Sequence, residues 1–311
     1  MTTNQPTKYC VAIIAALLLS ACGGGGGGSS PTGSLSLAIT DTPLDGNVTE
    51  VNVEFWGLRL KPKNGPAFVI DFGAGNEKLI DLLQLQGTNS ADLIIDEIVP
   101  AGDYNWVWLL VNARKDTMDS FVEIDGSAVY PLYIPSADQT GLKLVSGFTV
   151  PAGGDVDFII DWNLANAVHA PPGQDPNYFI RPALRITNRA LVGTIEGTVP
   201  AGLIDENNPA SCSGGNRVYL FEKPAGSETL LDDMDEEVSD GRAEVVTTAA
   251  VEYDVNSDEW RFVIGFVSPG DYTVAFTCSS TSDDSMIDDF PDNAVSGFDF
   301  AARDDVSVEV G

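Results

Sequence analysis

The sequence predicts an all-β protein with two sandwich-like domains, and three observations lead there. Apolar and polar residues alternate in short runs, the period of a strand with one buried face. Between the runs stand Gly, Pro, Asp and Asn, including 31 Gly and 18 Pro in 311 residues, which is turn chemistry at close intervals. No stretch carries the helical period over a substantial length. The length suggests about two domains, and a hydrophobic content of 43% is enough for packed cores.

Taken in order, the chain begins with Lys8 and an apolar run from Val11 to Leu19, the layout of a secretory signal. The run is shorter than the ~20 residues that span a bilayer. Small Ser20 and Ala21 suit a signal-peptidase groove, and Cys22 directly after them offers a thiol for acylation. Residues 1–21 therefore read as a signal peptide, and residues 22–33 as an acylated Cys22 with a Gly/Ser tether. A run such as Gly23 to Gly28 with Ser29-Ser30 is a random coil that lets a folded body stand clear of a lipid surface. Leu19-Ser-Ala-Cys22 resembles the bacterial lipobox. Gly23, where an inner-membrane retention signal has Asp, implies a lipid anchor in the outer membrane of the cell envelope.

From Ser34 the strands begin. Ser34–Thr40 and Val51–Phe55 alternate cleanly, with turn chemistry at Asp41-Thr-Pro-Leu-Asp-Gly46 between them. Further strands are expected at Ala67–Asp71, Tyr104–Val111, Phe121–Ile124, Val129–Ile134, Gly147–Val150, Asp155–Asp161 and Tyr178–Thr187. Asp125-Gly126 is a hairpin turn. Glu77–Gln86 and Ala91–Ile98 read as short helical or irregular connections. A corner recurs three times: Val99-Pro-Ala-Gly-Asp-Tyr104, Val150-Pro-Ala-Gly-Gly-Asp155 and Val267-Ser-Pro-Gly-Asp-Tyr272. In each, Pro fixes φ, Gly permits positive φ, and an apolar strand follows.

The first β-rich domain is expected over residues 34–189 and the second over 190–311. The second has strands at Leu191–Val199, Arg217–Phe221, Val245–Tyr253, Trp260–Val267, Tyr272–Cys278 and Val306–Val310, with Asn256-Ser-Asp258 as a turn. The formal charge of the chain is -30, and most of the excess acid lies after residue 190. Nucleic acid and anionic lipid are repelled by such a chain, so membrane affinity must come from acyl chains on Cys22. Cys10 leaves with the signal, and Cys212 and Cys278 remain to pair as a disulfide in an oxidising compartment.

Five segments carry a family likeness: Gly33-Ser-Leu-Ser-Leu-Ala-Ile-Thr-Asp-Thr-Pro43, Ile80-Asp-Leu-Leu-Gln-Leu85, Pro100-Ala-Gly-Asp-Tyr104, Gln139-Thr-Gly-Leu-Lys-Leu144 and Phe179-Ile-Arg-Pro-Ala-Leu-Arg185. In that order, across residues 33–189, they resemble a bacterial lipoprotein family known as domain of unknown function 4382. The resemblance implies a secreted or surface β-rich domain without an established activity. Gly193-Thr-Ile-Glu-Gly-Thr-Val199, Val218-Tyr-Leu220 and Pro269-Gly-Asp-Tyr-Thr-Val274 resemble transthyretin-like or carboxypeptidase-regulatory-like sandwiches. Neither resemblance supplies a catalytic residue.

His169 is the single histidine, in an apparent loop, and no nucleophile elbow, His-Glu-x-x-His pair or phosphate loop accompanies it. The expectation is a non-enzymatic binding module for a protein or glycan partner, and a carboxylate-dependent hydrolase is the rival. Two acidic clusters, containing Asp232, Asp233 and Asp235 and Asp283, Asp284 and Asp288, read as solvated loops with calcium as the functional alternative, since calcium favours six to eight oxygens. Tyr104, Trp106 and Trp108 alternate and should share one strand face. That face is expected to pack in the core; exposed, it would stack on sugar rings.

Overall fold

The computed structural model describes residues 30–44, 47–135, 141–164, 168–169, 176–180, 184–204, 215–223, 230–234, 242–283 and 298–310. Cys22, Cys212, Asp235, Asp284 and Asp288 lie outside the described residues. The all-β expectation holds: four sheets carry the fold, and among the described residues helical structure is confined to short 3-10 turns.

In the N-terminal lobe the strands are β1 (Thr32–Thr42), β2 (Val48–Pro62), β3 (Phe68–Asp71), β4 (Lys78–Asp81), β5 (Ala91–Pro100), β6 (Gly102–Asn112) and β7 (Phe121–Ile124). They continue with β8 (Ala128–Tyr133), β9 (Leu142–Leu144), β10 (Phe148–Val150), β11 (Asp155–Asn163), β12 (Val168–His169), β13 (Tyr178–Ile180) and β14 (Leu184–Asn188). One sheet runs β14-β11-β1-β5, with β1 and β11 parallel. The second has ten strands centred on β2, which pairs with β3, β4, β6 and β7. Alternation on β1 and β2 sends Leu35, Leu37, Ile39, Val53 and Phe55 inward, where they meet Val107, Leu109, Ile160 and Trp162. At the predicted β7–β8 turn, Asp125 and Gly126 both take positive φ, as a primed hairpin turn requires.

The C-terminal lobe adds β15 (Gly193–Val199), β16 (Arg217–Glu222), β17 (Val245–Ala250), β18 (Glu252–Asp254), β19 (Glu259–Val267), β20 (Gly270–Thr277) and β21 (Ala302–Val308). They form a β15-β19-β18 sheet and a β17-β16-β20-β21 sheet. Val218 and Leu220 of β16 face the first of these with Ile264, Val274 and Phe276. Tyr219 and Phe221 point the other way, into a further cluster with Leu231, Met234, Phe298 and Phe300. This explains the unbroken apolar run of β16: a strand covered on both faces has no polar side to show.

Two expectations need correction. Ala91–Ile98 is not a helical or irregular connection but most of β5, an edge strand antiparallel to β1. Asp96, at φ 52, carries an irregularity in its register, leaving Ile95 and Ile98 exposed and scrambling the alternation that marks a strand. The Tyr104 row also fails to share a face. Lys61 pairs with Trp106 and Pro62 with Tyr104, so Asn105 is an extra residue in β6. The bulge turns Tyr104 into the core, 2% exposed, while Trp106 and Trp108 stay half-buried on the outer face.

Pro31–Gly311 form one unit, and the two lobes meet closely within it. A Cβ built on Gly265 would lie 2.2 Å from the Gly87 carbonyl oxygen, so only glycine fits there. Thr42 and Thr247 share a buried hydroxyl–hydroxyl hydrogen bond of 3.0 Å. The Arg189 guanidinium lies 5.6 Å from the centre of the Phe266 ring.

Candidate functional site

The two lobes together line a groove of about 550 Å³, within the range of small-ligand sites. One wall is the 3-10 turn Leu82–Leu85 and the residues after it. Asp81 caps that turn by accepting from Leu83 N at 3.2 Å and also holds Val51 N at 3.1 Å. Thr40 Oγ1 sits 2.8 Å from the carbonyl oxygens of both Leu85 and Asn89 and shares its proton between them. Gly87, at φ +67, turns the chain. The backbone is thus fastened to β1 and β2, while Gln84, Gln86 and Asn89 line the groove. Among the described residues their side-chain amides make no hydrogen bond.

The opposite wall is the β18–β19 hairpin. The Asp254 carboxylate accepts from Asn256 N at 2.9 Å, Asn256 Nδ2 at 3.1 Å and Ser257 Oγ at 3.0 Å, and these bonds, the Asn256 backbone first, hold it below the usual carboxylate range. Asp258, at φ 60, closes the turn and accepts from the Tyr253 hydroxyl. Tyr253 is 45% exposed and leans on Trp260 with ring centres 5.3 Å apart. The aromatic ring is therefore fixed at both ends, by its hydroxyl and by its neighbour. Glu252 and Arg261 also line the groove, and Arg261 reaches Glu259 at 3.2 Å.

Beneath the lobe contact is a second, much smaller feature, a cavity of about 20 Å³ lined by Thr40, Asp41, Asp161 and Thr248, about the volume of one water by this measure. Asp41 is 5% exposed, and its carboxylate faces the backbone of Thr42 and Leu164 without closing a well-formed hydrogen bond among the described residues. Burial, then the neighbouring Asp161, raise its pKa well above the ordinary value, against smaller lowering effects of the Thr42 and Leu164 backbone and of Arg217. Asp161 itself is held by Arg185 at 2.9 Å.

The residues singled out from sequence fall elsewhere. Trp106 and Trp108 stack on each other, ring centres 4.2 Å apart and planes 15° from parallel. Lys143 Nζ and the Arg59 guanidinium lie 5.0 and 5.7 Å from the Trp108 ring centre. Neither tryptophan is fully buried, so packing is only part of their role, but their faces are largely taken by each other and by cations. Asp232 and Asp233 are not solvated: they are 2% and 1% exposed. The structure brings the two acidic segments together, since Asp283 accepts from Met234 N at 3.3 Å and from the Tyr219 hydroxyl at 2.5 Å. Among the described residues no three His, Cys, Asp or Glu side chains are gathered to hold a metal. His169 lies in β12, its ring stacked on Phe179 at 5.0 Å. Cys278 is buried at the end of β20.

Gln84 stands in the family-like segment Ile80–Leu85, but Gln86, Asn89 and Tyr253 belong to distant segments without a motif, and nothing local joins them into one groove. The one available signal was Asn256-Ser-Asp258, recognisable as the turn that holds Tyr253.

Residues 32–182 match the family described as Domain of unknown function (DUF4382). No curated protein matches the chain. Among solved structures, a leucine-rich repeat protein from Bacteroides thetaiotaomicron aligns at 12% identity over 79% of this chain and 22% of its own, with a TM-score of 0.16. The chain thus spans about a fifth of the length of that protein.

Proposed function

We propose that the protein is a non-enzymatic binding module, anchored at the outer membrane by acyl chains on Cys22, that seats a polar ligand in the groove between its lobes. One observation carries the reading: the amides of Gln84, Gln86 and Asn89 are unspent, while the backbone beneath them is fastened by Asp81 and Thr40. Free donors and acceptors on a fixed frame bind with little reorganisation cost. Binding is favoured over carboxylate hydrolysis because, of the two carboxylates that line the groove, Asp254 is occupied by its own turn, which leaves Glu252 without the second carboxyl group that hydrolysis uses.

A Cys212–Cys278 disulfide belongs to the same proposal. Ser280 N donates to Gly215 O at 3.2 Å, a contact between residues three after Cys212 and two after Cys278, which supports the pairing. Calcium is a second reading, favoured by the meeting of the two acidic segments at Asp283. A melting curve that moves neither with calcium nor with a chelator removes it.

The main test uses the full chain in cells and in solution. Cys22→Ser should move the protein from membranes to the soluble fraction, and persistent membrane association contradicts the anchor. The purified Cys22→Ser chain, incubated with a mixed set of neutral oligosaccharides and basic peptides, should bind without releasing new reducing ends or peptide fragments. Turnover overturns the non-enzymatic reading.

A further inference from the structure

We infer that the interlobe groove is a seat for a neutral oligosaccharide, with Tyr253 as its stacking face and Gln84, Gln86, Asn89 and Glu252 as its hydroxyl partners. This rests on the proposal that the groove is the ligand site and names the class of ligand. The chemistry of the walls selects it. A side-chain amide both donates and accepts, so three amides match a molecule whose hydroxyls also do both. A carboxylate such as Glu252, which makes no hydrogen bond among the described residues, accepts from vicinal hydroxyls. Tyr253 supplies an apolar ring face, 45% exposed, and its polar end is already spent on Asp258.

Charge decides against the other ligand classes. An anionic ligand meets the field of a chain of formal charge -30. A basic peptide gains from Glu252 alone, since Asp254 is already committed to its turn and Arg261 to Glu259. The groove therefore offers polar contacts with little net charge, and an uncharged ligand loses least on entering it. Its walls are also fixed in advance, with Tyr253 held through Asp258 and Trp260. The Trp106–Trp108 pair is a poorer platform because its rings already cover one another.

The test is calorimetric titration of the full chain carrying Cys22→Ser with maltohexaose, cellohexaose, laminarihexaose, xylohexaose, mannohexaose and chitohexaose. At least one should bind. Tyr253→Ala should weaken that binding about tenfold, while Tyr253→Phe, which keeps the ring, restores it to within about threefold. Trp106→Ala should leave it unchanged. Absence of binding by all six overturns the sugar assignment; if basic peptides then bind and Gln86→Ala weakens them, the groove survives as the ligand site and only the ligand class is wrong. Sugar binding that ignores Tyr253→Ala but is lost in Trp106→Ala overturns the placement.

Discussion

Both lobes build the same corner, and they differ in what lies on the sheet beside it. In the N-terminal lobe Tyr104, at the start of β6, donates to Pro100 O at 2.7 Å; in the C-terminal lobe Tyr272, at the start of β20, donates to Ser268 O at 2.8 Å. Each is a tyrosine corner of the kind found in β-sandwiches. The match extends outward: Lys63 N donates to Asp103 O, and Lys223 N to Asp271 O. Thr149 Oγ1 donates to Asp103 Oδ1, and Ser307 Oγ to Asp271 Oδ1. Beyond the corner the resemblance ends. The outer face of β6 carries half-buried Trp106 and Trp108, whereas the outer face of β16 and β20 is sealed by Phe298 and Phe300. The corner is a local device for starting a strand, and burial of the remaining face is a separate matter of size. Among the described residues the N-terminal lobe has fourteen strands and one large core; the C-terminal lobe has seven and packs both sides of one sheet, as a small body with a high surface fraction must.

Truncation of the sealed face should separate the lobes most. Phe221→Ala, at a fully buried ring, should cost about 3–5 kcal/mol, whereas Trp108→Ala, at a half-buried ring held by partly exposed Arg59 and exposed Lys143, should cost less, about 1–2 kcal/mol. Chemical denaturation of the two variants checks this, and equal losses would erase the distinction between faces. Next in size is the seam. Gly265→Ala drives a methyl against the Gly87 carbonyl and should cost about 1–3 kcal/mol, read as a lower thermal midpoint and freer proteolysis between the lobes.

Smaller effects test the likeness of the corners. Tyr104→Phe and Tyr272→Phe should each lose about 0.5–1.5 kcal/mol, one hydrogen bond apiece, and a large difference would show that the two corners are not equivalent. Burial pushes the Tyr104 phenol up to about 12. Its contribution is complete below the unfolded value of about 10 and is lost as pH rises through about 12. Alkaline titration of stability should therefore show a fall in that window that Tyr104→Phe reduces. Asp41 works in the other range. Its raised pKa, from burial and then Asp161, makes the folded state hold a proton that the unfolded state releases, so stability falls as pH climbs above about 4. Asp41→Asn should flatten that slope, and an unchanged slope removes Asp41 as its source.

Much of this fold was legible in the sequence. The alternation of β1 and β2, the Asp125-Gly126 turn and the recurring corners all reflect local chemistry that a short window contains. What escaped was set by bulges and by distant contacts. Asp96 breaks the period of β5, and Asn105 reverses the facing of Tyr104 relative to Trp106, and an added residue on one strand is invisible without its partner. Val48–Pro62 is one strand, although only its first part alternates cleanly. The groove was less legible still. Gln84 and Tyr253 are ordinary surface residues in isolation, and they come to line one groove where Gly87 and Gly265 let the lobes approach.

The proposed seat in the groove and the rival seat on the tryptophan pair differ in which side chains a ligand would touch. Side-chain resonances of the Cys22→Ser chain, followed by NMR as an oligosaccharide that binds is titrated in, test this difference most directly. A ligand in the groove should give saturable shifts in the amide groups of Gln84, Gln86 and Asn89 and in the Tyr253 ring, with the Trp106 and Trp108 indoles unmoved. Shifts confined to the two indoles, with the groove amides silent, would contradict the groove seat.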